Sequence, residues 1–259
     1  MIQKIKLHIP KNLFVLYLNS ITKITSSIII KIKNYTMEVL TAGDSEAILI
    51  LATLKLPEIP DNDVTLELPI NDISKLQKIC KFAEEDELIL EIENNVVKYK
   101  NENIKLKFYL AEKTIISVPQ QVTAEKFNQF PISFSTIVDK ATLDKIDRGF
   151  DFVKSASGDI KNYFYIEDNK FFGELTDKST ASTDSFKVAL SDNYSGHINN
   201  RIAVKHDVWM TMTLSKGDVK IEASTVQRKG RSHDIMFVRQ SFNDELTYSY
   251  LIKPLSGNS

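Results

Sequence analysis

Apolar residues recur along the chain at two periods, and the two periods predict a mixture of helices and strands. The clearest helix is Asn71–Ala83, in which the three- and four-residue spacing places the apolar side chains on one face. Asn71 or Asp72 is the expected N-cap, because its side-chain oxygen can accept a hydrogen bond from a first-turn amide. The apolar face consists of Ile73, Leu76, Cys80 and Ala83, and the opposite face carries Lys75, Lys78 and Lys81.

Alternating polar and apolar residues, bounded by turn residues, predict strands over much of the remaining chain. Hairpin turns are expected at Asn34–Tyr35, Asn94–Asn95 and Asp168–Asn169. Further helices are predicted at Asn12–Ile24, Lys140–Ser155 and His206–Leu214. The predicted strands are Lys4–Ile9, Ile28–Lys33, Thr36–Thr41, Ala47–Leu54, Val64–Leu68, Leu88–Glu93, Val96–Lys100, Ile104–Leu110, Ile132–Val138, Ile160–Glu167, Lys170–Thr176, Ser185–Leu190, Arg201–Val204, Val219–Gln227, Ile235–Phe242 and Leu246–Lys253.

The order of these elements repeats inside the first half, as strand, helix and three strands followed by the same series again. We therefore predict an α+β fold with one domain over residues 1–111 and another over 132–259. Between them, residues 112–131 contain two prolines and two adjacent glutamines with little helical periodicity, which indicates an extended connector. Asp192–Asn200 is predicted to be a loop.

The helix at Lys140–Ser155 repeats the pattern of Asn71–Ala83. Its apolar residues are Leu143, Ile146, Phe150 and Val153, and its basic residues Lys145 and Arg148 match Lys75 and Lys78. Asp144, Asp147 and Asp151 dilute the positive charge of this second helix. Lysines that project from helices can neutralise backbone phosphates without reading bases, so the repeated helices point to sequence-independent nucleic-acid binding.

The composition of the chain limits the classes of protein to which it can belong. The chain has 259 residues, of which 42% are hydrophobic and 26% charged, as in a soluble globular protein with a substantial core. A formal net charge of −1 excludes a uniformly basic nucleic-acid binder but leaves room for a local basic surface. The early apolar residues are interrupted by lysines, so neither a secretory signal nor a membrane span is expected, and we predict a cytoplasmic protein.

No motif predicts catalysis, a metal site or a cofactor. The glycines are isolated, so there is no phosphate-binding loop, and the four histidines have no partner at metal-ligand spacing. The single cysteine, Cys80, lies in the apolar register of its helix and is expected to be a small buried side chain. Phe134, Phe171 and Trp209 are likewise expected in the core. We therefore expect no enzymatic activity and no cofactor.

Short segments of the chain resemble the DNA sliding clamps, which are polymerase processivity factors. Asp72–Cys80 (DISKLQKIC) resembles the clamp helix that faces the DNA channel, and Met37–Leu54 resembles the strand pair with AGDSEA at its turn. Tyr250–Leu255 (YLIKPL) is similar to the eukaryotic clamp ending. The connector and Phe171–Leu190 are similar to the T-even-type phage clamps, and the length matches the two-domain, trimeric branch of the family.

The resemblance implies a homotrimeric ring, with helices lining a channel through which double-stranded DNA passes. It further implies a replicative DNA polymerase and an ATP-dependent clamp loader as partners, with the host cytoplasm as the location if a phage encodes the protein. The strongest candidates for DNA contact are Lys75 and Lys78, followed by Lys81, Lys145 and Arg148; Lys11, Lys140, Lys154 and Lys205 are further candidates.

A short peptide of a partner is expected to dock on apolar residues of the connector and the C-terminus. These candidates are Leu40, Ile48, Ile116, Val118, Tyr250, Leu251, Pro254 and Leu255. For Tyr250 and Leu251 a place in the core of the last strand is an equal alternative. Two other classes of protein remain open at this point, namely a β-rich viral structural or assembly protein and a hydrolase with a novel site.

Overall fold

The computed structural model describes residues 4–43, 46–57, 65–119, 122–153, 159–177, 184–228 and 231–255. The helices are α1 (Lys11–Thr22), α2 (Ser74–Phe82), α3 (Ala124–Asn128), α4 (Lys140–Val153) and α5 (His206–Met210). The strands are β1 (Ile5–Pro10), β2 (Ile28–Lys33), β3 (Thr36–Ala42), β4 (Ile48–Lys55), β5 (Leu66–Ile70), β6 (Glu87–Glu93), β7 (Val96–Lys100), β8 (Lys105–Tyr109), β9 (Phe134–Asp139), β10 (Lys161–Glu167), β11 (Lys170–Thr176), β12 (Ser185–Ser191), β13 (Tyr194–Gly196), β14 (Ile202–Lys205), β15 (Asp218–Arg228), β16 (Arg231–Phe242) and β17 (Leu246–Ile252).

The predicted series of strand, helix and three strands is confirmed, and it occurs four times. The four motifs are β1-α1-β2-β3-β4, β5-α2-β6-β7-β8, β9-α4-β10-β11-β12 and β14-α5-β15-β16-β17. Two predictions about the intervening segments were wrong. The connector contains a 3₁₀ turn at Lys113–Ile115 and the short helix α3, and the loop predicted at Asp192–Asn200 contains β13.

The chain divides into two compact units, which are described separately. One contains Met1–Asp44, Ile50–Ala124 and Ser241–Tyr248; the other contains Ser45–Leu49, Glu125–Gln240 and Ser249–Ser259. The predicted domain limits, 1–111 and 132–259, stay a prediction. No helix in the described ranges is long and apolar enough to cross a membrane.

In the first unit the two motifs exchange their leading strands. Strand β1 of the first motif pairs with β6 of the second, giving a sheet of order β1-β6-β7-β8. Strand β5 of the second motif pairs with β2 of the first, in the order β5-β2-β3-β4. Helices α1 and α2 therefore connect one sheet to the other and pack side by side, with Gln77 Nε2 donating to Asn19 Oδ1 at 3.1 Å.

The second unit is built by the same exchange. Strand β14 pairs with β10 in a sheet of order β12-β11-β10-β14, and β9 pairs with β15 in the order β13-β9-β15-β16. Helix α4 packs on β11 and β12. This contact is close, because a Cβ on Gly149 would lie 2.2 Å from the Phe186 ring of β12, and one on Gly173 would lie 2.8 Å from Ile146 of α4. The close contact with the Phe186 ring therefore explains why Gly149 stands inside a helix.

Three predicted hairpin turns are confirmed by their backbone angles. Asn34–Tyr35, Asn94–Asn95 and Asp168–Asn169 all have two consecutive residues with positive φ, as does Asn243–Asp244. Two positive φ values define the type I′ turn, whose twist matches that of the flanking strands. Asparagine and aspartate tolerate this conformation because their short side chains bond locally. The first hairpin in each of three motifs thus has the same turn.

Candidate nucleic-acid interface

Helix α2 has the buried and exposed faces that the sequence predicts. Ile73, Leu76, Cys80 and Ala83 are all buried, and Ile79 joins them. Ile73 already has helical dihedral angles, and Asp72 Oδ1 accepts a hydrogen bond from the Ser74 amide at 3.0 Å. Of the two predicted N-caps, Asp72 therefore has this role. The hydrogen bonds from Ser74, and to a smaller extent the charges of Lys75 and Lys78, lower the pKa of Asp72.

The three lysines of α2 lie on its solvent side. Lys78 and Lys81 are exposed and Lys75 is half-buried. Within the described ranges, none of the three forms an ion pair with a carboxylate. Three ammonium groups on successive turns therefore create a local positive field on an otherwise near-neutral chain, which is the charge distribution that attracts phosphate.

Lys11 is bound within the fold, and its contact with DNA stays a prediction. Its Nζ donates to the carbonyl oxygens of Ala83 at 3.1 Å and Glu84 at 3.4 Å. These atoms lie at the C-terminal end of α2, where carbonyls lack helical partners and the helix dipole favours a cation. Lys11 therefore stabilises the end of the basic helix.

Helix α4 also carries two exposed basic side chains, and two of its three acidic side chains are bound to other residues. Lys145 and Arg148 are exposed. Asp147 Oδ1 accepts a hydrogen bond from Trp209 Nε1 at 3.0 Å, and Asp144 forms an ion pair with Lys140 one turn before it. Among these acidic residues of α4, only Asp151 is exposed. These contacts partly offset the negative charge that the aspartates of α4 place beside its basic side chains.

The remaining basic candidates differ from one another. The side chain of Lys140 is 18% exposed and bound to Asp144, which stabilises the start of α4, and its contact with DNA stays a prediction. Lys205 is exposed at the end of β14, directly opposite Lys161 of β10. Lys154 lies outside the described residues.

A buried histidine at the start of α5 packs against α4. The His206 ring stacks on Phe150 with 4.1 Å between the ring centroids, and its Nδ1 lies 3.0 Å from Asn162 Oδ1. Burial lowers the pKa of His206 below its usual 6.5, and the charges of Asp147 and Asp207 oppose this shift. The folded protein therefore keeps this ring neutral at a pH where an unfolded chain would begin to protonate it.

We expect the second unit to lose stability as the pH falls below about 6.5, the usual pKa of histidine. Below that value the unfolded chain binds a proton that the folded chain excludes, so the free energy of unfolding decreases. A His206→Gln variant cannot titrate here and should show a shallower decline of melting temperature between neutral and mildly acidic pH. Equal pH profiles for the two proteins would contradict this assignment.

The candidates for partner docking fall into two groups. Val118 is exposed, and Leu40, Pro254 and Leu255 are half-buried. The Leu255 amide donates to the Ala203 carbonyl at 2.9 Å, which holds the tail along β14. Ile48, Ile116, Tyr250 and Leu251 are buried and are corrected to core positions. For Tyr250 the cause is clear, because its hydroxyl bonds to both the amide and the carbonyl of Thr213 at 3.1 Å.

The two halves of the connector have different environments. In the first half, Ile115 is exposed together with Val118. In the second half, Phe127 of α3 is buried against Phe237, with 5.6 Å between the ring centroids. The Arg239 guanidinium lies over Phe237 and donates through Nε to Glu222 at 2.7 Å. Among the described residues of the connector, the large apolar side chains that are exposed therefore lie in its first half.

Sequence reasoning missed two exposed aromatic side chains. Phe82 on α2 is 47% exposed and Phe152 on α4 is 67% exposed. They occupy equivalent positions in the two helices, since each immediately precedes the last apolar residue of its helix, Ala83 or Val153. The sequence already indicated that these rings are exposed, because neither phenylalanine lies at the three- and four-residue spacing of the apolar face of its helix.

The expected core positions are confirmed. Phe134, Phe171 and Trp209 are buried, as is Cys80. Burial raises the pKa of the Cys80 thiol to about 11, so the thiolate is scarce at neutral pH. No group of three potential metal ligands occurs among the described residues.

No protein-family model matches this sequence, and no curated protein matches it either. Solved structures are similar in fold. The A. fulgidus PCNA with the C-terminal region of FEN-1 bound has a TM-score of 0.75 and 12% identity, over 98% of this chain and 100% of that one. Proliferating cellular nuclear antigen from Entamoeba histolytica has a TM-score of 0.71 and 14% identity, over 96% and 98%. The Bacillus subtilis DNA polymerase sliding clamp has a TM-score of 0.67 and 14% identity, over 98% and 64%. The chain therefore has the sliding-clamp fold.

Proposed function

We propose that this protein is a DNA sliding clamp, which encloses duplex DNA as a ring of three copies and tethers a replicative polymerase. The observation that carries the proposal is the repeated basic helix on a sliding-clamp fold. Lys75 and Lys78 of α2 and Lys145 and Arg148 of α4 occupy equivalent positions and have no carboxylate partner in the described part of the chain. Such weak phosphate contacts suit a protein that must slide, because topology rather than affinity retains it.

The ring would close through two strands that end a sheet. Strand β8 ends the second motif and β12 ends the third, and each lies at the edge of its sheet. An unpaired edge offers a row of backbone donors and acceptors to another chain. Pairing of β8 in one copy with β12 in the next joins different surfaces head to tail, which closes a ring when the rotation permits. Phe152 would supply an apolar contact to the same junction, because α4 packs on β12, and the exposed Phe82 at the equivalent position of α2 would supply another.

The channel would be lined by Lys75, Lys78, Lys81, Lys145 and Arg148, while Lys205 and Lys154 remain weaker candidates. A clamp loader would open the ring with ATP, and this chain itself would catalyse nothing. Partner peptides would dock on Ile115 and Val118 of the connector; Leu40, Pro254 and Leu255 remain separate candidates for docking. One of the similar structures contains the C-terminal region of FEN-1 bound to PCNA, which supports capture of a short segment by this fold.

The ring is tested with linear duplex DNA that carries biotin at both ends. Protein is first threaded onto the DNA at low salt, the ends are then blocked with streptavidin, and the salt concentration is raised. We expect the protein to stay on blocked DNA and to leave open-ended DNA, because high salt weakens the phosphate contacts but does not open a closed ring. The measurement is the protein that co-elutes with DNA in gel filtration.

The control adds a restriction site, so that cutting the blocked DNA should release the protein. Equal release from blocked and open DNA before cutting would show that the chain does not encircle the duplex. Retention after cutting would indicate ordinary tight binding, which is also incompatible with a sliding ring.

A further inference from the structure

The outward side of the sheet β1-β6-β7-β8 carries charges that are balanced on one half only. In the half formed by β1 and β6, Glu91 accepts ion pairs from Lys4 at 2.9 Å and from Lys6 at 3.7 Å. His8 lies 3.2 Å from Glu87 in the same half. The alternate residues of these strands, such as Leu7 and Leu90, are buried, so the charged residues point away from the core.

In the half formed by β7 and β8, lysines face lysines. Lys98 pairs in register with Lys107, and Lys100 pairs with Lys105. Like charges directly opposite each other on neighbouring strands destabilise the pair. Lys98 is compensated by Glu93 of β6, whereas Lys100, Lys105 and Lys107 have no acidic partner within the described ranges.

An exposed aromatic ring completes this surface. Tyr109 is 66% exposed and lies two residues after Lys107, so it projects from the same side of β8. We call Lys100, Lys105, Lys107 and Tyr109 the outer basic face. Lysine on an edge strand can prevent aggregation. That role does not explain Lys98 and Lys100, because β7 is paired on both sides.

We propose that the outer basic face binds single-stranded nucleic acid, with the lysines on successive phosphates and Tyr109 stacked on a base. Along one strand, Lys105 and Lys107 are about 6.6 Å apart in backbone rise, so each can meet a separate phosphate. A duplex offers phosphates but no exposed base face for Tyr109. An acidic peptide would satisfy the lysines but likewise leaves Tyr109 without a stacking partner. A single strand supplies both chemistries, as in known single-strand binding grooves.

This surface is separate from the lysines of α2, so it does not depend on the proposed encirclement of duplex DNA. Backbone pairing of the β8 edge with another copy would leave these side chains on the face of the sheet, since side chains stand perpendicular to the strand hydrogen bonds. The ring and the outer basic face are therefore compatible.

The test measures fluorescence anisotropy of a labelled thymidine oligonucleotide of about 12 nucleotides, a length within the usual site size. We expect the triple variant Lys100→Ala, Lys105→Ala, Lys107→Ala to bind about ten-fold more weakly at low salt. The slope of log affinity against log salt should become shallower by about 2, from three lost contacts with a single strand. Tyr109→Ala should also weaken binding about ten-fold, and Tyr109→Phe should bind like the wild type, because the ring face is kept.

The double variant Lys31→Ala, Lys33→Ala removes two exposed lysines from β2, so it is the control for net charge and should bind the oligonucleotide normally. Unchanged affinity in the triple variant would overturn the proposal, as would an equal loss in the β2 control. Equal competition by a polyglutamate peptide would show a general anion surface instead, and equal loss in Tyr109→Phe and Tyr109→Ala would exclude stacking. Solution mass and melting temperature of each variant exclude misfolding as the cause.

Discussion

The double variant Lys75→Ala, Lys78→Ala is expected to lose duplex DNA association while keeping its fold. Each lysine that neutralises a phosphate contributes about 0.9 to the slope of log affinity against log salt, so the pair should reduce that slope by about 2 per subunit. Affinity at moderate salt should fall by about ten-fold or more. The measurement is the equilibrium affinity for open-ended duplex, repeated across a salt series, because end-blocked DNA would retain a ring by topology even without these contacts.

The matched control is Lys31→Ala, Lys33→Ala, which removes two exposed lysines from strand β2. It has the same formal charge as the test variant, so a loss of net charge alone would affect both proteins equally. Both variants should melt within a few degrees of the wild type, because exposed lysines contribute little to folding. A normal affinity of the Lys75, Lys78 variant for open-ended duplex at every salt concentration would contradict the assignment of α2 to the channel.

The second large effect is expected from Phe152→Asp, which should convert a ring of three into single chains. In the proposed junction the new carboxylate would be buried without a partner, which costs about 3 kcal/mol or more. That corresponds to a loss of association of about 100-fold. In the separate chain Phe152 is mostly exposed, so the fold itself should be little affected. Sedimentation over a range of protein concentrations measures the change.

Phe82→Asp should have the same effect from the opposite side of the junction. Ile137→Asp is the control, because Ile137 is comparably exposed but lies on β9, an inner strand of a sheet that contains neither β8 nor β12. A trimer that persists in both phenylalanine variants would place the junction elsewhere. Dissociation of the Ile137 variant as well would show a general effect of charge.

Local pattern was enough to predict which residues form each helix and which side is buried. The three- and four-residue spacing of Ile73, Leu76, Cys80 and Ala83 identified the buried face of α2. Consecutive asparagines at Asn94–Asn95 identified a hairpin turn. Both patterns involve residues that are close in sequence, so they can be recognised without knowledge of the remaining chain. Helix ends were less accurate, as in α5, which is shorter than predicted.

Contacts between residues that lie far apart along the chain could not be predicted from the sequence. That Lys11 lies 3.1 Å from the Ala83 carbonyl, at the end of α2, could be seen only in the fold. Tyr250 was an equal candidate for docking and for the core, and only its hydrogen bonds to Thr213 decided for the core. The outer basic face was missed because Lys98 and Lys107 become neighbours only through strand pairing.

The sequence alone determined the repeated series of strand, helix and three strands, the turns between hairpins and the lysines opposite an apolar helix face. These properties follow from short-range periodicity and from the backbone preferences of single residues. The tertiary structure alone decided that each unit exchanges its leading strands, and so which strands are left at the edges. Strand partners depend on contacts between residues that are distant in sequence. The periodicity of apolar residues along the chain does not identify those contacts. The same long-range packing decided which lysines remain exposed for phosphate and which, like Lys11 and Lys140, are already bound within the fold.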